Sequence, residues 1–458
     1  MPSEKMKNNF LFIMTDQHRF DYMGCAGADF LRTPNLDRIA RMGMRFTNCF
    51  TNAPVCVPAR IGLASGLQPL RIGSVDNASY LPRSVTTYYQ RLRDYGYRTA
   101  CVGKLDLAKP NKYNGLTGDR PCVYGWGFTD PLEIEGKNHA MVDSPIGPYT
   151  HHLHEKGLLE SFAGSRKGTT WYERNCYNSV LPTEDFHDSF IGRKAAEWIE
   201  TVSDDFPWHL FVSFAGPHSQ FDPPAEFAKK YDGAIMPPSI DDDMEGKPKW
   251  QKIRKERREL DAERVAEIRR KYCAVIELID HQVGLILNAL EKRGMIKNTY
   301  IFFVSDHGEM LGDHGMYSKG IAYEPSFHVP LLAAGPVIMQ GKTCDAMVEL
   351  IDLNPTICEL AGLPAQENID ARSFVPVLKG QLMEHRYDVV CALRNFRCIR
   401  TSKYKYIENY NDLDELYDLD KDPFELVNIA TDKKELCKQL KKQLENRFME
   451  GKWRGGGL

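Results

Sequence analysis

Short apolar runs that end in polar groups recur along the chain. Phe10–Thr15 (FLFIMT) is almost wholly apolar and runs into Asp16, the pattern of a strand buried on both faces. Similar runs stand at Tyr97–Val102, Trp208–Phe214 and Thr299–Ser305. Between them lie helical patterns. Thr33-Pro34-Asn35 opens one, with Leu36, Ile39 and Ala40 on one face. Asp188–Val202 reads as a second. Glu263–Arg293 is a third, apolar at Val275, Ile279, Val283, Ile286 and Leu290. Strands alternating with helices predict an α/β fold whose mostly parallel central sheet is covered on both faces. In such folds functional groups gather beyond the carboxyl ends of strands. Asp16, His218 and Asp306 all follow such runs.

The pattern fails between Leu107 and Pro182, where Gly, Pro, His and aromatic residues dominate, among them Trp126, Trp171 and Tyr172. A long irregular stretch in an enzyme reads as a substrate wall. Its histidines, His151, His152 and His154, lack neighbours that complete a metal set and are expected on a solvated loop or helix end. Gly246–Lys271 is dense in basic residues, with Arg254, Lys255, Arg257, Arg258, Arg269 and Arg270 interleaved with Glu256, Glu259, Glu263 and Glu267. That spacing predicts an exposed, salt-bridged helix. From about His385 three short strands are expected at Asp388–Leu393, Phe396–Arg400 and Lys403–Glu408, then a charged helix at Lys433–Met449 and a Gly-rich tail. The expected division is a catalytic domain over 1–380, with 107–182 as an insertion, and a small α+β unit over 381–458.

Composition narrows the classes. In 458 residues, 59 Lys and Arg against 62 Asp and Glu leave a formal charge of −3, which argues against a nucleic-acid binder. No uninterrupted apolar run approaches the ~20 residues that span a bilayer, so no membrane association is expected. The opening MPSEKMKNNFLFIMTDQ has too short an apolar run for a secretory signal, so a cytoplasmic location is expected. The twelve cysteines are scattered and are expected to be thiols in the core.

One cysteine differs. Cys56-Val57-Pro58-Ala59-Arg60 leads into a helical stretch, Ile61–Ser65, closed by Gly66. Pro58 suits a first helical turn. Cys56 would then stand at a helix N-terminus, where the dipole lowers a thiol pKa and attracts an anion, with Arg60 one turn on. A C-x-P-x-R match alone arises by chance in on the order of a few chains in a hundred of this size.

The wider context is specific. TDQHRFDYMGCAG, TPNLDRIARMGMRFTNCFTNAPVCVPAR, FFVSDHGEMLGDHG with Lys319-Gly320, and the closing ELYDLDKDPFELVNIA together resemble a type I sulfatase over almost the whole chain. That family is formylglycine-dependent and belongs to the alkaline phosphatase superfamily. The resemblance implies an alkaline-phosphatase-like α/β fold with a small C-terminal antiparallel sheet. It implies that a maturation enzyme oxidises Cys56 to formylglycine, whose hydrated form attacks sulfur and later expels sulfate. It further implies a divalent ion, Ca²⁺ first and Mn²⁺ second, held by Asp16, Gln17, Cys56, Asp306 and His307. Arg60, Lys104 and Lys319 match the cations on the sulfate, and His218 matches the group at the leaving oxygen.

The chain departs from the family pattern in four places. Gln17 and His307 stand where many members carry Asp and Asn, a set resembling the choline sulfatase and phosphonate monoester hydrolase branch. Asp106 stands where the family's G-K-x-H has its histidine, and its charge would repel an anion unless a cation such as Lys109 is near. His328 replaces a commoner Arg, with only an indirect effect expected. The expected function is hydrolysis of a sulfate ester of a small molecule or saccharide. The alternatives are a phosphonate monoester or phosphodiester hydrolase on the same scaffold and an anion-binding homologue without turnover.

Overall fold

The computed structural model describes residues 8–109 and 113–449; the Gly-rich tail lies outside the described residues. The first apolar run forms β1 (Asn9–Asp16), buried along its whole length. Sheet strands follow at β2 (Gly43–Phe50), β3 (Arg98–Gly103), β4 (Asp130–Glu133), β5 (Trp208–Pro217), β6 (Thr299–Ser305), β7 (His328–Ala334), β8 (Lys342–Cys344) and β9 (Val348–Glu349). They build one sheet in the order β4-β3-β5-β1-β6-β7-β2-β8, with β9 also on β2. β1 is central and parallel to both neighbours, Phe10 facing His209 of β5 and Tyr300 of β6. Only β7 runs against its partners, β6 and β2. This is the mostly parallel, helix-flanked sheet of an alkaline-phosphatase-like fold.

Alternation along β1 divides the core. Phe10, Phe12 and Met14 face a layer that includes Val57, Ile61 and Leu63 of the helix Cys56–Ser65. Leu11 and Ile13 face the opposite layer, with Ile191 of the helix His187–Thr201 and Val275, Ile279 and Val283 of the helix Ala262–Lys292. Each such side chain contributes about 1.5–3 kcal/mol by leaving water, so β1 is fixed from both faces and its end can carry charge. Distant carboxylates hold the frame. Asp280 accepts from the Asn35 and Leu36 amides at 3.0 and 2.8 Å, capping the helix Pro34–Met42 from outside. Asp188 accepts from the Ala215 and Gly216 amides at 2.8 and 3.0 Å, fixing the end of β5 just before His218.

A second, antiparallel sheet is made of β10 (Asp388–Leu393), β11 (Phe396–Thr401), β12 (Tyr404–Asn409) and β13 (Glu415–Asp418). Its Val389, Cys391 and Phe396 pack on Phe50, Met316 and Phe327 of the main body. Its other face, with Val390, Ile399 and Tyr406, takes Leu440 and Leu444 of the helix Lys434–Met449.

The helix of the cysteine motif runs from Cys56 to Ser65, so Cys56 stands at its N-terminus with Pro58 in the first turn, as expected. Two local expectations change. The stretch 107–182 is not wholly irregular: β4 extends the main sheet, and His151, His152 and His154 lie on the helix Pro148–Glu155. The basic stretch is not one exposed helix. It divides into Lys249–Glu256 and Ala262–Lys292, where Asp261 caps the second by accepting from the Arg264 amide at 2.9 Å, and Arg269 is buried. That second helix is long and apolar enough to cross a membrane by length and composition, but 78% of its apolar window is buried against the sheet.

Gly103 ends β3 with φ of 119°, and a Cβ there would meet the Ser213 carbonyl oxygen at 2.0 Å. Gly103→Ala is therefore expected to cost about 2–4 kcal/mol through strain and backbone displacement. Urea unfolding monitored by tryptophan fluorescence checks this, and an unchanged midpoint would refute it.

Candidate active site

The ends of β1 and β6 lie side by side, so Asp16 and Asp306 arrive together without exposure to solvent. Cys56, first residue of its helix, comes between them and His307. Its Sγ is 3.2 Å from His307 Nε2 and 3.8 Å from Asp16 Oδ1. One ligand atom from each of Asp16, Cys56, Asp306 and His307 lies within 4.8 Å of all the others. His307 Nδ1 is 3.0 Å from the Gly308 carbonyl, which orients the ring with Nε2 toward the group. Two buried carboxylates and an oriented imidazole are hard and borderline donors, so the residues present fit a divalent ion.

Gln17 stands beside this group with its side chain bonded to neighbours. Its backbone amide donates to Asp306 Oδ1 at 3.0 Å, while its side-chain amide bonds Glu309 and Lys319. Its φ of 71° lies in the left-handed region. Arg60 is 1% exposed and two of its nitrogens are held by protein: Nε donates to Asp306 Oδ2 at 2.8 Å, and Nη1 donates to the Lys104 carbonyl at 2.6 Å and Ser213 Oγ at 2.8 Å, while the buried Nη2, 3.7 Å from Asp16, has no hydrogen-bond partner among the described residues. Arg60 holds the carboxylate and the Lys104 backbone in place.

The turn after β3 brings the next cation. Lys104 Nζ pairs with Asp16 and lies 2.9 Å from Asp106 Oδ2, and Lys109 pairs with Asp106 from the other side. Burial alone would raise the Asp106 carboxyl, but Lys104, Lys109 and Arg60 together hold it well below the usual carboxylate range. Asp16 is likewise held low against burial, by Lys104, His218, Lys319 and Arg60. His218 Nδ1 contacts the Ser219 carbonyl, and burial, with Lys319 and Lys104 adding to it, depresses the imidazole well below its ordinary value. The ring is neutral, with Nε2 as its unprotonated nitrogen.

Above these groups opens a cavity of about 410 Å³, lined by Asp16, Cys56, Asn77, Lys104, Asp106, Lys109, Lys137, Asn138, His139 and His218. Lys137, Asn138 and His139 were not among the sequence candidates. They follow β4, and the short alternation Leu132-Glu133-Ile134-Glu135 is the faint signal that a strand end was near. Lys137 pairs with Asp222 and donates to the Gln220 carbonyl at 2.6 Å, tying this segment to the His218 loop. Other candidates stay outside the cavity. His152 pairs with Asp185, Trp126 lies against Arg120, and Tyr172 bonds Glu267. His328 stacks on Phe20 at 3.8 Å between ring centres.

Buried carboxylates and an imidazole beneath a lysine-lined cavity, at the strand ends of this sheet, define a hydrolase of anionic esters. The sulfatase family profile matches residues 8–363, and that of the N-sulphoglucosamine sulphohydrolase C-terminal region matches 312–450. The chain is 32% identical over 450 residues to a choline-sulfatase of Rhizobium meliloti, covering 93% of this chain and 82% of that one. It is 28% identical to an N-acetylglucosamine-6-O-sulfatase of Bacteroides thetaiotaomicron, covering 93% and 83%. In structure it is similar to the phosphonate monoester hydrolase of Agrobacterium radiobacter, with a TM-score of 0.83, 23% identity, and coverage of 97% and 96%. The chain belongs to the sulfatase family. It is a sulfuric ester hydrolase.

The Cys56 thiol is raised by burial and by Asp16, but Lys104, Lys319 and His307 outweigh both and bring it down to about 7. Burial instead pushes the Cys273 thiol well above its ordinary value and Cys358 to about 11. In protein made without maturation, iodoacetamide labelling of Cys56 is therefore expected to rise through a midpoint near pH 7, as the thiolate forms, with Cys358 lagging. Peptide mapping against pH checks this; a midpoint near pH 9 would refute it.

Proposed function

We propose that the chain hydrolyses a sulfate monoester of a small molecule or saccharide, with Cys56 converted to formylglycine and a divalent ion, Ca²⁺ before Mn²⁺, held by Asp16, Asp306 and His307. One observation carries the reading: Cys56 belongs both to the buried donor group and to the lining of the lysine-rich cavity. When present, the ion draws charge from the sulfate oxygens and the modified Cys56 supplies the attacking oxygen. The remaining work falls to the chain's own groups.

Lys104 and Lys319 reach the carboxylate–cysteine group from different segments and set two positive charges against the sulfate. His218 offers Nε2 at the cavity wall. The anionic ester bound beside it raises its proton affinity, after which it can deliver that proton to the leaving oxygen. Asp106 stays ionised, so it accepts a proton rather than donating one, as the family's histidine would during sulfate release. Its charge does not repel the substrate, because Lys104 and Lys109 both pair with it.

A second reading, phosphonate monoester hydrolysis on the same scaffold, is favoured by one feature, the His307 imidazole among the donors where a more purely oxygen site would suit calcium. Turnover of aryl sulfates against phenyl phosphonate monoesters, each with Ca²⁺ and with Mn²⁺, separates the two.

Three outcomes are expected of protein matured by co-expression with the formylglycine-generating enzyme. Peptide mass spectrometry shows loss of sulfur at Cys56. Cys56→Ala abolishes release of free sulfate while circular dichroism is unchanged; retained turnover would sink the reading. Asp106→Asn, which removes the acceptor and leaves Lys109 without its carboxylate while Lys104 keeps Asp16, lowers kcat by roughly 10²-fold while KM falls or holds. Equal kcat in Asp106→Asn would remove Asp106 from the cycle.

A further inference from the structure

A second cavity, of about 450 Å³, is lined by Trp250, Arg254, Arg257, Arg258, Lys319 and Asn395. Four of these are cations and none is an acid. Among the described residues Arg254, Arg257 and Arg258 form no ion pair. Arg254 is fixed as a donor: its Nη2 bonds the Tyr317 and Lys319 carbonyls at 2.6 and 2.8 Å. Arg258 lies over the Trp171 ring at 5.0 Å. The nearest acidic influence is Glu309, whose oxygens are taken up by the Gln17 side chain and the Leu311 and Ser318 amides. Burial presses the Arg254 guanidinium down to about 10, with Glu309 only partly opposing it, so positive charge is costly here and unrelieved by the protein.

The second cavity lies beside the Cys56 group. Lys319 lines it and also bonds Gln17 beside the metal-type donors. The Gly320 amide donates to the Pro54 carbonyl at 2.8 Å, two residues before Cys56. The β10–β11 turn brings the two linings near each other: Arg394 pairs with Asp76, and the adjoining Asn395 and Asn77 line the second and first cavities. A molecule whose sulfate sits at Cys56 therefore extends past Lys319 toward the three arginines, with the half-buried Trp250 as an apolar face.

We propose that Arg254, Arg257 and Arg258 form a subsite for a second anionic group, a carboxylate or another sulfate, carried by the alcohol portion of a saccharide substrate. This rests on the sulfatase reading above and narrows it: the alcohol portion is anionic, and a cationic alcohol such as choline is disfavoured. Planar guanidiniums without carboxylate partners bind such groups by paired, charge-assisted hydrogen bonds and repel a quaternary ammonium.

Two measurements test the subsite. With matured, metal-loaded enzyme, kcat/KM is compared for a doubly sulfated monosaccharide, its singly sulfated parent and choline sulfate. Wild type is expected to prefer the doubly sulfated sugar. Arg257→Glu, at an exposed position, is expected to lower the ratio of doubly to singly sulfated kcat/KM by about ten-fold or more, the value of one charge-assisted contact; Arg258→Ala should lower it less. Calorimetric binding of the doubly sulfated sugar to Cys56→Ala protein, with and without Arg257→Glu, reads the subsite without turnover. A ratio and an affinity that do not respond to Arg257→Glu, or a preference for choline sulfate, overturn the proposal. If wild type cleaves none of the esters while binding still weakens about ten-fold with Arg257→Glu, the sulfatase reading fails and the anion subsite stands.

Discussion

Two carboxylates, Asp16 and Asp306, stand without solvent at the ends of adjacent parallel strands, and the surrounding structure is organised around their charge. An isolated buried carboxylate would take up a proton or unfold its surroundings rather than stay ionised. Here Arg60 bonds Asp306 directly and lies 3.7 Å from Asp16, while Lys104 pairs with Asp16. Both cations come from segments that must be held rigidly to arrive there. Arg60 sits one turn into a wholly buried helix, and Lys104 follows a glycine whose conformation no other residue adopts easily. The apolar layers on either face of β1 thus serve electrostatics as much as stability. They fix the two strand ends whose pairing makes a divalent site affordable in the interior.

Charge compensation also explains why Asp106 is tolerated where the family carries a histidine. A lone carboxylate at the mouth of an anion pocket would cancel one of its lysines. With Lys104 on one side and Lys109 on the other, the trio keeps a net positive charge and the carboxylate stays ionised. The exchange therefore replaces an imidazole with an anion pinned between two cations. It does so within six residues of chain, Lys104 to Lys109, which makes it a local substitution rather than a redesign of the pocket.

The strands and the residues at their ends were legible in the sequence because both follow simple rules. Continuous apolar runs mark doubly buried strands, and an acid immediately after one has little to do structurally. Asp16, Asp306, His307 and Cys56 were found on that basis and on the motif, and the structure brings all four together. The protein partners of Gln17 and Arg60 were not legible, because Glu309 and Ser213 come from distant strands and turns that neither motif reports. Lys137–His139 were missed because β4 is only four residues long and sits at the sheet edge, where apolar patterning weakens. The basic stretch was misread for a related reason. Interleaved Glu and Arg suit a solvated helix, and nothing in their spacing reports that a capped break at Asp261 turns three arginines toward one hollow.

Chemistry and selectivity are therefore carried by different kinds of sequence. The reacting groups stand on strand ends and a buried helix start, where one ångström of drift would separate the donors, and where packing from both faces prevents it. The walls come from the segment after β4, the Lys249–Glu256 helix with its following turn, and the β10–β11 hairpin, three pieces far apart in the chain. Each wall segment is anchored by a few specific bonds: Lys137 to Asp222, Arg254 to two carbonyls, Arg394 to Asp76. Such anchoring lets the lining change by single substitutions without disturbing the carboxylates beneath. A fold of this kind can keep one reaction and change its substrate, and for the same reason likeness to relatives along the whole chain identifies the reaction more securely than the molecule on which it acts.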